Sequence, residues 1–202
     1  MMKQWNIFIL ITLFFAISCD GQNNNNSSPF YQKSIEKSNR VVQSVKLTNH
    51  FMQTLQKKLL SALKASGRKG AIEMCKTGSP ALEKEFQAKD KDIVSFRRIS
   101  LKPRNTKSHT PNEMEKVWLL DIDKMNKARK KLLPGIIKQK DKTTVLIPIV
   151  IKKRGCLICH GKPKTMDDKL KEIFKKDYPD DQSPGYKIGD ISGALSIEWK
   201  NQ

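Results

Sequence analysis

The sequence is short of acidic residues, of arginine and of aromatic residues, and these shortages limit what the protein binds. Thirty-nine Lys and Arg stand against 20 Asp and Glu, which leaves a net charge of +19. Only seven of the basic residues are arginines, they are scattered, and aromatic residues make up 7% of the chain. Nucleic-acid-binding surfaces usually combine clustered arginines with aromatic side chains. The composition therefore argues against nucleic acid and favours a lysine-rich surface that attracts anionic lipid headgroups or an acidic redox partner.

Long apolar runs are also scarce, and the one at the start of the chain is too short to span a bilayer as a permanent helix. Residues 5–17 are almost wholly apolar and follow a single positive charge at Lys3, as in a secretory signal peptide. The run ends in the letters AISC at residues 16–19, which resemble the lipobox of bacterial lipoproteins. We therefore predict a lipoprotein signal peptide over residues 1–18 and lipidation of Cys19. An ordinary signal peptide with an incidental cysteine is the alternative.

The stretch after Cys19 lacks apolar periodicity. Residues 20–29 are polar and rich in asparagine, so they cannot bury apolar surface and are expected to form a flexible tether. This gives three parts: the signal peptide, a tether over residues 19–30, and one domain over residues 31–202. The predicted location is the periplasm or the cell surface, with a lipid anchor in a bacterial membrane.

Proline and glycine are absent from residues 31–66, where apolar residues recur at helical spacing. This pattern predicts a long amphipathic helix that ends before Gly67. A shorter helical piece carrying Cys75 follows, and the Gly-Ser-Pro sequence at residues 78–80 is expected to break it. Residues 81–88 add two more helical turns.

Three stretches rich in β-forming residues predict strands at residues 93–101, 143–151 and 191–199. Residues 102–109 are turn-like. Because Pro148 cannot donate to a strand ladder, we expect an edge or a bulge there. In the last strand alternation places four residues on one face: Ile191, Leu195, Ile197 and Trp199.

Two helices are inserted between these strands. The first carries a capping-box pattern, with Thr110 as N-cap, Pro111 at the first helical position and Glu113 at the third. It is predicted to run to Leu132 and to stop at the Pro-Gly of residues 134–135. The second is short, with its apolar residues at Leu170, Ile173 and Phe174. Helices followed by an antiparallel-looking sheet predict an α+β fold.

The chain has only four cysteines, and two of them form the pattern Cys156-x-x-Cys159-His160. This is the attachment pattern of c-type haem. Two thiols at this spacing reach the two vinyl groups of haem, and the next imidazole lies against the iron. A thioredoxin-type pair would need a βαβ unit, a zinc site would need a second ligand pair, and a disulfide across two residues would be strained. The export signal agrees with haem attachment outside the cytoplasm.

Cys75 is left without an intramolecular disulfide partner once Cys19 is assigned to lipid. It is either a buried inert residue or a thiolate ligand to iron. From spacing alone the question stays open, because methionine or histidine is the usual sixth ligand in c-type cytochromes. The residues that meet this description are Met52, Met74, Met114, Met125, Met166, His50 and His109.

Four motifs follow one another between residues 47 and 199: GAIEMC with GSPA at 70–81, Arg97-Arg98 with Arg104-Asn105 and Pro111-x-x-x-Glu115, the cysteine motif with Gly161, and the glycine-rich segment 185–194. Together they resemble a family of exported c-type haem domains of unknown function with a PAS-like fold. The resemblance implies one covalent haem c per chain, with His160 on one side of the iron and the Cys75 thiolate on the other. Members resemble sensory modules. Residues 104–111 depart from the tighter Arg-Asn-Pro run of that family.

Two arginines are candidates for binding the haem propionates, because a guanidinium group matches carboxylate geometry. They are Arg98 and Arg104, and ordinary surface arginines are the alternative reading.

The predicted ligand set also indicates a function. A thiolate stabilises ferric iron and fills the sixth coordination position, which argues against peroxidase or oxygenase chemistry and so against an enzyme. We expect a non-catalytic sensor of redox state or of a diatomic gas such as NO or CO. The alternative is a monohaem electron carrier that docks a redox partner protein through its lysines, and a haem enzyme comes third.

Overall fold

The computed structural model of the protein describes residues 39–201, and the predicted signal peptide, Cys19 and tether lie outside this range. The first helix, α1, spans Asn39–Glu73 and bends at Ser66 and Gly67, whose backbone angles are not helical. Gly67 has φ +59°, a left-handed conformation that glycine adopts at little cost. The predicted interruption at Gly67 is therefore confirmed, although a further helical segment continues beyond it.

The predicted break at residues 78–80 is wrong. A π-helical turn, Met74–Gly78, leads directly into helix α2, Ser79–Gln87. Pro80 lies in the first turn of α2, where the fixed φ of proline suits the start of a helix.

Four strands form one antiparallel sheet in the order β1-β4-β3-β2. Their bounds are β1 Ile93–Ile99, β2 Gly135–Lys138, β3 Lys142–Val150 and β4 Ile191–Lys200. Three of them match the predicted strands. The edge strand β2 was missed, since four residues are too few to show alternation. The α+β fold class, with a long N-terminal helix, is confirmed.

The pairing is irregular where the C-terminal end of β3 lies beside the N-terminal end of β4. Strand β2 pairs with β3 only as far as Leu146, so Pro148 has β4 on one side alone and the prediction of an edge position is confirmed. The register shifts between Ile149 and Val150. Because of this shift Ile191 packs with the apolar cluster that contains Ala194, and its predicted place on the same face as Leu195 is wrong.

Both faces of the sheet are covered. On one face α1 and α2 pack over β1, β3 and β4, and this first cluster includes Phe51, Phe86, Leu195 and Trp199. The indole N–H of Trp199 donates to Ser44 of α1 at 2.9 Å, which fixes the helix to the central strand. The second cluster, on the opposite face, comprises Ile99, Trp118, Leu119, Ile122, Ile137, Leu146 and Ala194.

Helix α4 covers the second face and spans Glu113–Lys127, after a single helical turn α3, Thr106–His109. The predicted N-cap, Thr110, is wrong by two residues: the cap is Asn112, which exchanges hydrogen bonds with Glu115. Glu115 is fully buried and also binds Arg97 and Ser196, both at 2.6 Å, so it fixes the start of the helix. The helix ends at Lys127 and not at Leu132 as predicted.

The remaining elements are short and lie between β3 and β4. A 3₁₀ turn, Arg154–Cys156, leads into the single helical turn α5, Leu157–His160. A second 3₁₀ turn, Pro163–Thr165, precedes helix α6, Asp168–Asp177, which confirms the predicted short helix. No helix among residues 39–201 is long and apolar enough to cross a membrane.

Candidate functional site

A third apolar cluster lies apart from the sheet and contains one of the motif cysteines. Its buried members are Ile72, Met166, Leu170, Phe174 and Tyr178. Cys159 is half-buried against it. Because Ile72 belongs to the last turn of α1, this cluster brings the end of α1 against α6 and the cysteine motif.

Cys75 lies on the π-helical turn directly after α1, three residues beyond Ile72. Burial raises the pKa of its thiol, while the nearby charges of Arg98 and Arg104 act in the opposite direction. The same thiol contributes to the raised pKa of Cys159, where burial is the main cause. The structure therefore brings Cys75 close to the cysteine motif, although 81 residues separate Cys75 from Cys156 in the sequence.

Hydrogen bonds from other segments hold the turn that carries Cys156, Cys159 and His160, which we call the motif turn. Gly161 N–H bonds to the carbonyl of Leu157 at 2.9 Å and closes the helical turn. Three carbonyls at the end of the turn, those of Cys159, His160 and Gly161, receive donors from outside it. Cys159 O accepts from the Arg104 guanidinium at 2.6 Å, His160 O from Tyr186 N–H at 2.9 Å, and Gly161 O from Gly185 N–H at 2.8 Å.

The imidazole of His160 is neutral in this setting. Desolvation lowers its pKa to about 3, and the charge of Arg104 acts in the same direction. Its ring centre lies 6.5 Å from that of Tyr186. A neutral ring nitrogen is the form in which histidine binds a metal.

Arg104 is almost enclosed at this site. Its Nε donates to Asp181 at 2.9 Å, and the side chains of both residues are 9% exposed. Its guanidinium carbon lies 3.8 Å from the centre of the Phe174 ring, a stacked arrangement typical of arginine.

Arg98 lies on β1 and belongs to a second ionic group. Its Nε donates to Glu83 of α2 at 2.7 Å, and His109 of α3 contacts the same carboxylate at 3.4 Å. Burial acts to raise the pKa of Glu83, but hydrogen bonds and positive charge from His109 and Arg98 outweigh it and hold that pKa below its ordinary value. Both predicted propionate-binding arginines therefore already hold carboxylates of this chain.

Comparison with known proteins decides the family. The model of the Tll0287-like family matches residues 26–199. The chain belongs to this family. Among solved structures, the fold resembles that of the cyanobacterial haem protein Tll0287 with a TM-score of 0.55 and 16% identity, over 79% of this chain and 96% of that one. At this identity the likeness concerns the fold. No curated protein sequence matches the chain significantly.

The other ligand candidates in this Tll0287-like chain lie in different surroundings. Met52 packs with the first cluster and Met125 with the second. Met114 is half exposed, and His50 contacts Phe86 on the α1 side. Met166 belongs to the third cluster, against which Cys159 packs. Met166 is therefore a competitor of Cys75 that packs in the cluster beside the motif, and Met74 adjoins Cys75 on the π-helical turn.

The residues present suit haem better than a bare metal ion. Among residues 39–201 no group of three or more His, Cys, Asp or Glu side chains is arranged to hold a metal. Haem iron needs only one or two protein ligands, because the porphyrin supplies the other four. A neutral imidazole, two free thiols on one turn and an apolar cluster beside them fit that requirement.

The sequence did not reveal the residues that hold the motif turn. Asp181 carried no signal, because nothing local marks it as the partner of a residue 77 positions earlier. Tyr186 and Gly185 were visible only as part of the C-terminal motif, which gave no role for them. Their backbone N–H groups bond to the carbonyls of the motif.

Proposed function

We propose that this protein binds one haem covalently through Cys156 and Cys159, with His160 as an iron ligand. The observation that carries the proposal is the placement of the two thiols and a neutral imidazole on one turn beside an apolar cluster. The family relationship supports it, since Tll0287 is a haem protein. When bound, haem supplies a one-electron iron couple and a binding position for diatomic gases.

The Cys75 thiolate is the proposed second ligand. It lies on the π-helical turn after α1, near enough to Cys159 to raise the pKa of that thiol, and π turns often occur at functional sites. Burial raises the pKa of the Cys75 thiol, and the positive charges of Arg98 and Arg104 oppose that rise, so bound iron would supply the remaining stabilisation of the thiolate. Thiolate ligation lowers the reduction potential relative to a methionine ligand.

The function we favour is sensing of redox state or of NO or CO, without catalysis. The two proposed ligands belong to elements that are far apart in sequence, α5 and the π-helical turn after α1. Release of Cys75 would free the π-helical turn between α1 and α2, and a change at iron would then reach the long helix. This gives a route from ligand exchange to a change of shape.

A specific observation supports electron transfer as the second candidate. Ile158, between the two motif cysteines, is 52% exposed. The exposed basic residues nearest to it in sequence are Lys152, Lys153, Arg154, Lys162 and Lys164. An apolar point within a basic surface suits transient docking of an acidic redox protein.

The first experiment tests covalent haem. The chain is expressed with its leader and the haem maturation machinery, and intact mass and absorbance spectra are compared with those of Cys156→Ala/Cys159→Ala. Any lipid on Cys19 is common to both proteins, so the wild-type mass is expected to exceed that of the double variant by one haem, after correction for the two Cys-to-Ala changes. A wild-type product with the bare polypeptide mass would refute the assignment.

Spectroelectrochemistry separates the two functions. A sensor is expected to exchange or lose an iron ligand on reduction, or to bind NO or CO with displacement of a ligand. An electron carrier keeps both ligands and exchanges electrons rapidly with a partner. A ferrous spectrum with both ligands retained and no response to either gas would favour the carrier.

The proposed location is a bacterial membrane surface on its outer side, through a lipid on Cys19. The test is fractionation of wild-type and Cys19→Ala protein in high salt, because a basic chain also adheres to anionic lipid by charge. We expect the variant alone to be released. Retention of the variant in high salt would contradict acylation as the anchor.

A further inference from the structure

Arg104 contacts three other parts of the molecule. It follows β1 in the chain, yet it bonds to the motif turn at Cys159 O, to Asp181 after α6, and to the face of Phe174 within α6. The flanking Pro103 carbonyl accepts from Gln182 N–H at 3.1 Å. The segment around Arg104 therefore connects the sheet to the motif turn and to the chain that follows α6.

The bond to Cys159 O has a particular place in this arrangement. The carbonyls of residues 159, 160 and 161 lie at the end of the motif turn, and each accepts one hydrogen bond from another segment. Two of these donors are backbone N–H groups of Gly185 and Tyr186, whereas the third is the Arg104 side chain. The segment that provides the backbone donors begins just after Asp181, which Arg104 also holds at 2.9 Å. Arg104 thus contacts the turn directly and also fixes the segment that supplies the other two bonds.

We propose that Arg104 is a positioning residue that sets the orientation of residues 156–160, and with it the imidazole of His160, relative to Cys75. This inference rests on the proposed haem function but assigns Arg104 a role other than binding a propionate. Its Nε and one terminal nitrogen are already engaged by protein oxygens within 2.9 Å, and its flat face is covered by Phe174. Groups behind a metal ligand commonly fix its angle and tune the metal.

The test uses the mature haem protein and three variants. Arg104→Gln removes the charge and the fork of donors, Arg104→Lys keeps the charge but not the planar geometry, and Asp181→Asn weakens the link while leaving Arg104 in place. Arg97→Gln is the matched control, because it breaks a 2.6 Å arginine–carboxylate pair with Glu115, away from the motif. Readouts are the low-spin EPR spectrum, amide hydrogen exchange of Gly161, Gly185 and Tyr186, and cyanide affinity of the ferric protein.

A positioning role predicts shifted EPR g-values and faster exchange of the three amides in all three test variants. Cyanide has to displace a protein ligand, so its affinity is expected to rise about ten-fold in Arg104→Gln, the lower end of typical outer-shell effects. Arg97→Gln is expected to lower thermal stability while leaving all three readouts at wild-type values. If Arg104→Gln does not fold, Asp181→Asn and Arg104→Lys carry the test.

Two results would overturn the inference. Wild-type EPR and exchange in the Arg104 variants, with only a lower melting temperature, would leave Arg104 a general stabilising residue. Changed EPR in Arg104→Gln together with wild-type behaviour of Arg104→Lys and Asp181→Asn would show that its charge acts on the haem directly. A wild-type protein without haem would instead refute the proposed function, which is a separate outcome.

Discussion

The sheet and the motif region are built in different ways. The sheet is one continuous ladder with its central strands buried on both faces, and its clusters contain the bulkiest enclosed side chains, such as Trp118, Trp199 and Phe86. The third cluster receives no side chain from any strand. It is formed by the end of α1, by α6 and by the turns between them.

The links in the two regions differ as well. Three ion pairs join the elements around the third cluster: Arg68–Asp167 at 2.7 Å, Lys76–Asp177 at 3.1 Å and Arg104–Asp181 at 2.9 Å. The first two are exposed, and such pairs contribute little stability. The difference suggests that the sheet stabilises the fold and that the motif region can rearrange without unfolding it. Variants in the sheet should therefore lower the free energy of unfolding, whereas variants in the motif region should change the haem spectrum.

The largest expected loss of stability is for Phe86→Ala in the first cluster. Phe86 is fully enclosed and contacts the rings of Phe51 and Phe96 at 5.3 and 5.6 Å. Removing such a ring costs about 3–5 kcal/mol of the free energy of unfolding, as urea denaturation would measure. The folded fraction should keep the wild-type haem spectrum, and a changed spectrum would mean that the two regions are not separable.

A smaller loss is expected for Glu83→Gln, which lies between the two regions. Glu83 is 6% exposed and holds both Arg98 and His109, so its loss is expected to cost about 1.5–3 kcal/mol at neutral pH. Its pKa is lower in the folded protein than in the unfolded chain. Its contribution is therefore present above the unfolded pKa and is lost as pH falls through the folded value.

The lowered pKa of Glu83 can be tested through the pH dependence of stability. Wild-type protein is expected to lose more stability than Glu83→Gln between about pH 6 and about pH 3, because the variant has no carboxylate to protonate at this position. Glu85→Gln, an exposed change on the same helix, is the control and should follow wild type. Parallel curves for wild type and Glu83→Gln would show that Glu83 contributes no pH-dependent stability.

The same contrast explains what the sequence could reveal. Strands and helices of the sheet region follow from alternation and helical spacing, since their burial repeats along the chain. Short-range detail was harder to predict. The cap lies at Asn112 and not at Thr110 because Glu115, which closes the capping box, also binds Arg97 and Ser196 on two strands. Ile191 changed face because of a register shift that no local pattern marks.

The candidate site could be predicted from the sequence where its residues are close together in the chain, as in the motif at Cys156, Cys159 and His160. Cys75 was named through family resemblance and by cysteine counting, and the structure places it near the motif. The contacts of Arg104 were not predictable, because they join residues 55 and 77 positions away. Such partners are set by tertiary packing, and a single sequence does not encode them in any local spacing.

The smallest expected loss of stability is for Cys75→Ala, and its spectral effect should be the clearest. Losing one half-buried sulfur is expected to cost the chain without bound haem about 1 kcal/mol or less. In the mature protein the low-spin ferric spectrum should change to high spin or to a different ligand set. Met166→Leu is the matched control, since it keeps the volume of the neighbouring candidate ligand. If Met166→Leu alters the spectrum and Cys75→Ala does not, the ligand comes from the α6 side, and release of the π-helical turn no longer links iron to α1.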